Sequence, residues 1–158
     1  MFRPMQRKKQ QLSEAECLHL LQDIPRGVLS VHGDDGYPYC LPHNHWYNVE
    51  DRKLYFHSGK AGHKIDAIRK NDKASYCVFG NAFREDGDWA LIFKSVIVFG
   101  RIHFVTNQQE ALEITRKLSF SFTSDENYIE KEIRSSGQSV LVFCLEIEHI
   151  SGKLVRES

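Results

Sequence analysis

The segment Leu54-Tyr-Phe-His-Ser-Gly-Lys-Ala-Gly-His-Lys64 decides the fold, because a strand, a loop and a helix start follow one another within eleven residues. Its first half is apolar and aromatic, which predicts a strand over residues 53–58. Gly59 and Gly62 then mark a loop. The residues that follow place apolar side chains at helical spacing, which predicts a helix over residues 61–70. We therefore expect the chemistry of this protein where that strand ends and that helix begins.

Three basic side chains, Lys60, His63 and Lys64, cluster at the start of this helix. The N-terminal end of a helix already carries partial positive charge, so cations are disfavoured there by ~0.3–1 kcal/mol each. A bound anion reverses this, because free backbone N–H groups, the Ser58 hydroxyl and Lys64 can then converge on it. A phosphate is the natural candidate. The alternative is a basic helix start whose lysines point into solvent, and the spacing alone does not choose between the two.

A phosphate site of the Walker A type is excluded here. That motif needs a second glycine directly before the lysine, and Lys64 follows a histidine. ATPase or GTPase chemistry is therefore not supported by this segment.

The chain around this segment is rich in short strands. Most connections are too short for parallel crossovers, which favours an antiparallel barrel with flanking helices in an α+β fold. A capping box at Ser13 and Glu16 begins the first helix, Pro25 ends it, and Gly100 is a candidate β-bulge. The predicted strands are 27–31, 37–47 interrupted at Pro42, 53–58, 74–79, 90–105 and 140–150, and the predicted helices are 13–23, 61–70, 108–118 and a short one over 128–133 within the ambiguous stretch 119–136.

Length and composition indicate one domain over residues 1–158, with a basic N-terminal arm over residues 1–11. The 21 Lys and Arg balance the 21 Asp and Glu, which argues against nucleic acid or an anionic membrane as partner. No apolar run is long enough for a membrane span, and none follows the arm as in a secretory signal. The four cysteines form no C-x-x-C pair and are expected to be reduced, mostly buried thiols of a cytoplasmic protein.

A second polar segment, Pro42–Tyr47, could present His43 and Asn44 to a planar heterocycle, although a half-exposed amphipathic strand is the commoner explanation. Cys40, His43 and His45 also raise the question of a metal site. Their spacing matches no structural zinc pattern and no second cysteine pair completes one, so we expect no metal.

Several ordered motifs together resemble the pyridoxamine-phosphate-oxidase-like flavoproteins, and among them the nitroimidazole-resistance (Nim-type) reductases. The resemblance covers the chain to about residue 120 and is weak over residues 121–158. Gln6 stands where arginine is usual, His63 where arginine or lysine is common, and His45 where an apolar aromatic residue is usual, on the substrate side of the pocket. The matching motifs are Gly36–Tyr39 followed by Pro42–Asn44 and Tyr47, then Tyr55–Ser58 with Gly62–Lys64, and finally Trp89 with Lys94–Gly100.

The resemblance implies a six-stranded split β-barrel that forms a homodimer, with FMN in a groove between the subunits. Pro42, His43 and Asn44 would border the isoalloxazine ring. Ser95 would reach the cofactor from the facing strand or from the partner subunit. The residues implied for the ribityl chain and the phosphate are Phe56, His57, Ser58, Gly62, His63 and Lys64.

The function implied is FMN-dependent reduction of a small molecule, with NAD(P)H as a candidate electron donor. The flavin would carry the electrons, so no side chain is strictly required as acid or base. His57 and His43 are weak candidates for a proton donor. The alternatives are a flavin-binding or sensing module without turnover, an oxidase of the pyridoxamine-phosphate-oxidase type, and a barrel that binds no chromophore.

Overall fold

The computed structural model describes residues 1–157 and contains one curled antiparallel sheet flanked by α-helices. The strands are β1 Arg26–His32, β2 Pro38–Asn44, β3 Trp46–Asn48, β4 Lys53–Gly59, β5 Lys73–Phe79, β6 Leu91–Phe104 and β7 Val140–Glu157, and the helices are α1 Glu14–Asp23, α2 His63–Lys70, α3 Gln108–Phe120 and α4 Glu126–Ser136. The strand order is β2-β1-β5-β6-β7-β4-β3, with every neighbouring pair antiparallel. The predicted α+β fold of the split-barrel type is confirmed.

The described residues form seven strands rather than the six expected, because the segment 37–47 divides at His45 and not at Pro42. Pro42 stays within β2, an edge strand, where a missing N–H is tolerated. The backbone N–H of His45 leaves the ladder and donates to the Pro25 carbonyl at 2.9 Å. The chain then turns into β3, which pairs with β4 on the opposite edge of the sheet.

Helix α1 begins with the predicted capping box. The Ser13 hydroxyl accepts from the Glu16 N–H at 3.3 Å, and the Glu16 carboxylate accepts from the Ser13 N–H at 2.9 Å. This pairing satisfies two otherwise free backbone donors and fixes the start of the helix. The buried face of α1, with Cys17 and Leu21, packs against the main core.

The main core fills the inside of the curled sheet. Phe56 of β4 and Phe143 of β7 stack at its centre with ring centroids 5.1 Å apart, and both are fully buried. Helix α2 contributes its apolar side chains to the same cluster. A smaller cluster joins α3 to the outer side of β4 and β7, through residues such as Tyr55 and Ile114. The sheet and α2 therefore share one core, which holds the start of α2 against the end of the barrel.

The predicted bulge at Gly100 is present as a shift in the pairing of β6 with β7 between Phe99 and Gly100. A Cβ atom at Gly100 would overlap the carbonyl oxygen of Glu146 on β7. We expect Gly100→Ala to destabilise the protein by about 1–3 kcal/mol, measured by urea unfolding, because the backbone must shift to admit the methyl group. Gly59→Ala is the control, since its Cβ would meet nothing within 4 Å. Equal stability of the two variants would contradict this account of the bulge.

The ends of the chain differ in part from expectation. Helix α4 is longer than the short helix predicted over 128–133, and its N-cap is Asp125, whose side chain accepts from the Tyr128 N–H. In the N-terminal arm, the Phe2 ring stacks on His149 at 4.6 Å. Of the four free cysteines, Cys17 and Cys144 are buried, Cys77 is half-buried and Cys40 is exposed.

Within residues 1–157, no helix combines the length and the apolar composition needed to cross a membrane.

Candidate functional site

A polar cleft of about 260 Å³ opens at the end of the barrel, where β2 and β4 end and α2 begins. The cleft therefore lies at the strand-to-helix junction of residues 54–64. Five of its lining residues were predicted from the sequence as cofactor-binding, and Arg26 was not. The lining residues are Arg26, Pro42, His43, Asn44, His57 and Lys64.

The sheet register brings these side chains together. Arg26, the first residue of β1, pairs with Asn44, the last residue of β2, and its Nε donates to Asn44 Oδ1 at 2.7 Å. His57 lies near the end of β4, and Lys64 is the second residue of α2. Residues far apart in sequence thus form one wall of cationic and amide groups.

Lys64 is the central cation of the cleft. Its side chain is half-buried, and its Nζ donates to His43 Nε2 at 2.9 Å. Within residues 1–157, no carboxylate forms an ion pair with it. Burial lowers the pKa of Lys64, because the charged form loses hydration without gaining a counter-ion. An anion in the cleft would supply the missing partner.

Two neighbouring histidines are uncharged at neutral pH. Burial, with a smaller contribution from the charge of Lys64, lowers the pKa of His43 to about 4. The same two causes lower the pKa of His57. The His43 Nδ1 lies 2.9 Å from the Asn44 carbonyl, which can only accept, so Nδ1 carries the hydrogen and Nε2 is free to accept from Lys64. The positive charge of the cleft therefore resides on Lys64 and Arg26.

The start of α2 has donors to spare. Its N-cap is Gly62, whose φ of +123° lies in the region that favours glycine, and no side chain in the described part of the chain caps the first turn. The free N–H groups of that turn carry partial positive charge beside Lys64. Lys60 is exposed, whereas Lys64 faces the cleft, so the alternative in which all these lysines point into solvent does not hold for Lys64.

The other predicted cofactor residues, apart from Ser95, lie around the cleft rather than in its lining. Phe56 is fully buried beneath it and contacts the His43 ring edge-on, with centroids 5.2 Å apart. Ser58 is half-buried near the end of β4. His63 stacks on Tyr39 at 4.1 Å, and its Nε2 lies 3.6 Å from an Asp34 carboxylate oxygen.

Ser95 lies on another part of the sheet. It is half-buried on β6, where it pairs with Phe79 on one side and Lys153 on the other. Its two sequence neighbours differ, since Val96 belongs to the core and Lys94 is exposed. Within one copy of the chain, Ser95 therefore does not contribute to the lining of the cleft.

His45 does not line the cleft, contrary to the substrate-side position that the resemblance implied. Its side chain is 1% exposed, with Nε2 2.7 Å from the Leu21 carbonyl and Nδ1 2.8 Å from the Tyr76 hydroxyl. The alternative of a metal site would have brought the His43 and His45 rings together. Instead, His43 contacts the Asn44 carbonyl and Lys64, whereas His45 contacts Leu21 and Tyr76. His45 instead links the last turn of α1 to the barrel core through its contact with the Leu21 carbonyl.

This burial predicts acid sensitivity. Burial lowers the pKa of His45 from 6.5 to about 4, so between these values the unfolded chain binds more protons than the folded one. Stability is then lost as the pH falls from about 6.5 to about 4. Urea unfolding should show that the wild type loses about 2 kcal/mol more than His45→Gln between pH 7 and pH 5. Parallel losses in the two proteins would show that His45 does not titrate in this way.

Arg26 and Tyr76 also belong to this region, although the sequence gives no local signal for either residue. Arg26 follows a helix-ending proline and carries no motif of its own, so only the pairing of β1 with β2 reveals its position. Tyr76 is an ordinary buried aromatic residue of a strand, and its hydroxyl contacts depend on long-range packing.

One protein-family profile and several solved structures are similar to this chain. The Pyridoxamine 5'-phosphate oxidase family profile matches residues 13–154. A search among curated proteins finds no match. A protein from Bacteroides thetaiotaomicron with a proposed role in 5-nitroimidazole antibiotic resistance aligns with a TM-score of 0.78 at 17% identity, over 93% of this chain and 87% of that chain.

Two further solved structures cover nearly the whole chain. A FAD-binding protein from Mesorhizobium loti aligns with a TM-score of 0.65 at 25% identity, over 92% of this chain and 96% of that chain. A protein from Listeria innocua, assigned provisionally as a pyridoxamine 5'-phosphate oxidase, aligns with a TM-score of 0.62 at 18% identity, over 90% and 97%. Since the family profile spans most of the sequence and the fold agrees, the chain belongs to the pyridoxamine 5'-phosphate oxidase family.

Proposed function

We propose that this protein is a flavoprotein that binds FMN in the cleft and uses it to reduce a small molecule. The observation that carries the proposal is Lys64, a half-buried cation with no carboxylate partner among residues 1–157, at the start of α2. Such a position favours a phosphate. Family membership and the FAD-binding relative from Mesorhizobium loti support a flavin as the molecule that carries it.

The residues of the cleft fit the parts of FMN. Lys64 and the free N–H groups of the first turn of α2 would hold the phosphate, with Ser58 and His63 close to the same turn. Pro42, His43 and Asn44 would border the ring system. Phe56 would support His43 from beneath. The flavin, when bound, supplies the electron transfer chemistry, and the protein supplies binding and orientation.

FMN is the flavin we propose, because its single phosphate suits Lys64 at the start of α2. Arg26, the second cation of the cleft, donates its Nε–H to Asn44. FAD is the alternative, because the relative from Mesorhizobium loti binds it. Chromatography of the flavin released from the purified protein distinguishes the two.

The proton for substrate reduction would be relayed from solvent by the neutral ring of His57 rather than come from His43. The hydrogen of His43 lies on Nδ1 and is bonded to the Asn44 carbonyl, while its Nε2 accepts from Lys64. His43 therefore has no N–H directed at a substrate. His57 lines the cleft, and its ring nitrogens have no protein partner within residues 1–157.

The protein would act as a homodimer in the cytoplasm. Phe79, Ile97 and Phe99 are 54%, 41% and 39% exposed on adjacent strands, which is a surface suited to a second copy. Ser95 lies among them and would reach the flavin of the partner subunit. Free cysteines fit a reducing compartment. Light scattering at micromolar concentration should give the mass of two chains, and the mass of one chain would remove the shared site.

Anaerobic mixing of the flavin-loaded protein with NADH or NADPH tests the activity. We expect bleaching of the flavin absorbance, followed by recovery when a nitroaromatic acceptor is added. His57→Ala should keep its flavin and lose turnover. Flavin that is bound but reduced no faster than free FMN would instead favour a binding or sensing module.

A further inference from the structure

A continuous series of polar contacts runs behind the cleft wall, from the last turn of α1 to Lys64. The Leu21 carbonyl contacts His45 Nε2 at 2.7 Å, and His45 Nδ1 contacts the Tyr76 hydroxyl at 2.8 Å. The Tyr76 hydroxyl lies 2.7 Å from the His43 carbonyl oxygen. The His43 ring, in turn, accepts from Lys64. Neither His45 nor Tyr76 lines the cleft, so neither belongs to the site described above.

Tyr76 is the junction of this series. Its side chain is fully buried, and its ring stands edge-on to both Phe56 and His45. The ring reaches this position because residue 27 is glycine, whose missing Cβ would lie 2.7 Å from Tyr76 Cζ. The phenol therefore occupies a space between β1 and the end of β2 that a side chain at residue 27 would close.

The hydrogens of the series can be assigned from its acceptors. The Leu21 carbonyl can only accept, so His45 Nε2 carries the hydrogen of the neutral ring and Nδ1 is an acceptor. The single hydrogen of the Tyr76 hydroxyl thus faces two acceptors, His45 Nδ1 and the His43 carbonyl oxygen. With its hydrogen directed at the His43 carbonyl oxygen, the phenol is a side-chain donor to that carbonyl, and the His45 ring packs edge-on against the phenol ring.

We propose that Tyr76, packed edge-on against His45, is a positioning residue for the cleft, fixing the His43 peptide so that the His43 imidazole keeps Lys64 directed at the anion. This inference rests on the proposed function, since it concerns the flavin affinity of the same site. The peptide that Tyr76 anchors is followed by Asn44, whose carbonyl accepts the His43 Nδ1 hydrogen. Loss of the anchor would therefore release the imidazole and, through it, Lys64.

The test compares Tyr76→Phe with Thr115→Val. Tyr76→Phe keeps the ring and removes the hydroxyl. Thr115→Val removes another buried hydroxyl, which donates to the Ala111 carbonyl at 2.8 Å within α3, away from the cleft. Long-range ¹H–¹⁵N spectra of the flavin-free proteins report the His43 tautomer, and fluorescence titration with FMN reports affinity.

We expect wild type and Thr115→Val to show His43 in the Nδ1–H form and to bind FMN equally. Tyr76→Phe should show a mixture of tautomers and bind FMN about tenfold more weakly, as for the loss of one hydrogen bond. An unchanged tautomer and affinity in Tyr76→Phe, or an equal loss of affinity in Thr115→Val, would overturn the inference alone. A wild type that binds no flavin would overturn the proposed function and this inference together.

Discussion

Replacing Lys64 with methionine should weaken FMN binding by roughly 10- to 150-fold, the range expected when a hydrogen bond to a charged group is lost. The side chain is half-buried, its Nζ donates to His43, and in the proposed function a phosphate is its counter-ion. Methionine keeps the length and the apolar contacts of the lysine stem. Titration of the flavin-free protein with FMN, followed by flavin fluorescence, measures the change.

Lys60→Met is the matched control for this prediction. Lys60 lies in the loop that precedes α2 and is exposed, so its replacement should change FMN affinity little. Stability should respond differently from affinity. Lys64→Met removes a partly desolvated charge that has no ion-pair partner within residues 1–157, and it should leave the flavin-free protein at least as stable as the wild type. Equal FMN affinities of Lys64→Met and Lys60→Met would show that Lys64 does not bind the phosphate.

Replacing Phe56 with alanine should destabilise the protein by about 3–5 kcal/mol, the largest loss of stability we expect from one substitution here. The ring is fully buried and packs against both Phe143 and Tyr76, at centroid distances of 5.1 Å. Its removal leaves a cavity between β4, β5 and β7. Guanidinium unfolding of the flavin-free protein measures the loss.

Phe120→Ala is the control for the core substitution, because Phe120 is 48% exposed at the end of α3. Its free energy of unfolding should stay within about 0.5 kcal/mol of the wild type. Phe56 also supports His43 edge-on, so any folded Phe56→Ala protein should bind FMN more weakly as well. A loss below about 1 kcal/mol for Phe56→Ala would contradict this description of the core.

Features that depend on local sequence could be predicted well. The capping box at Ser13 and Glu16 and the bulge at Gly100 each follow from residues within a few positions of one another, and both are present. The strand-to-helix junction before Lys64 was also evident, because glycine and a change of hydrophobic period mark it directly. Local chemistry is sufficient for such elements.

Features that depend on register between distant strands could not be predicted. Arg26 enters the cleft only because β1 pairs with β2 so that Arg26 faces Asn44. The division of the second strand at His45 depends on a backbone bond to Pro25 and on side-chain bonds to Leu21 and Tyr76. From the sequence alone, a polar residue in a strand can line a binding site or be buried in the core, and only the long-range packing determines its position.

The central claim is that this cleft holds a flavin phosphate, and the most direct measurement is the visible spectrum of the purified protein followed by identification of any released chromophore. We predict flavin absorption bands and release of FMN in a ratio near one per chain. Binding should be recovered when FMN is added back to the stripped protein. A colourless protein that fails to bind either FMN or FAD would contradict the claim.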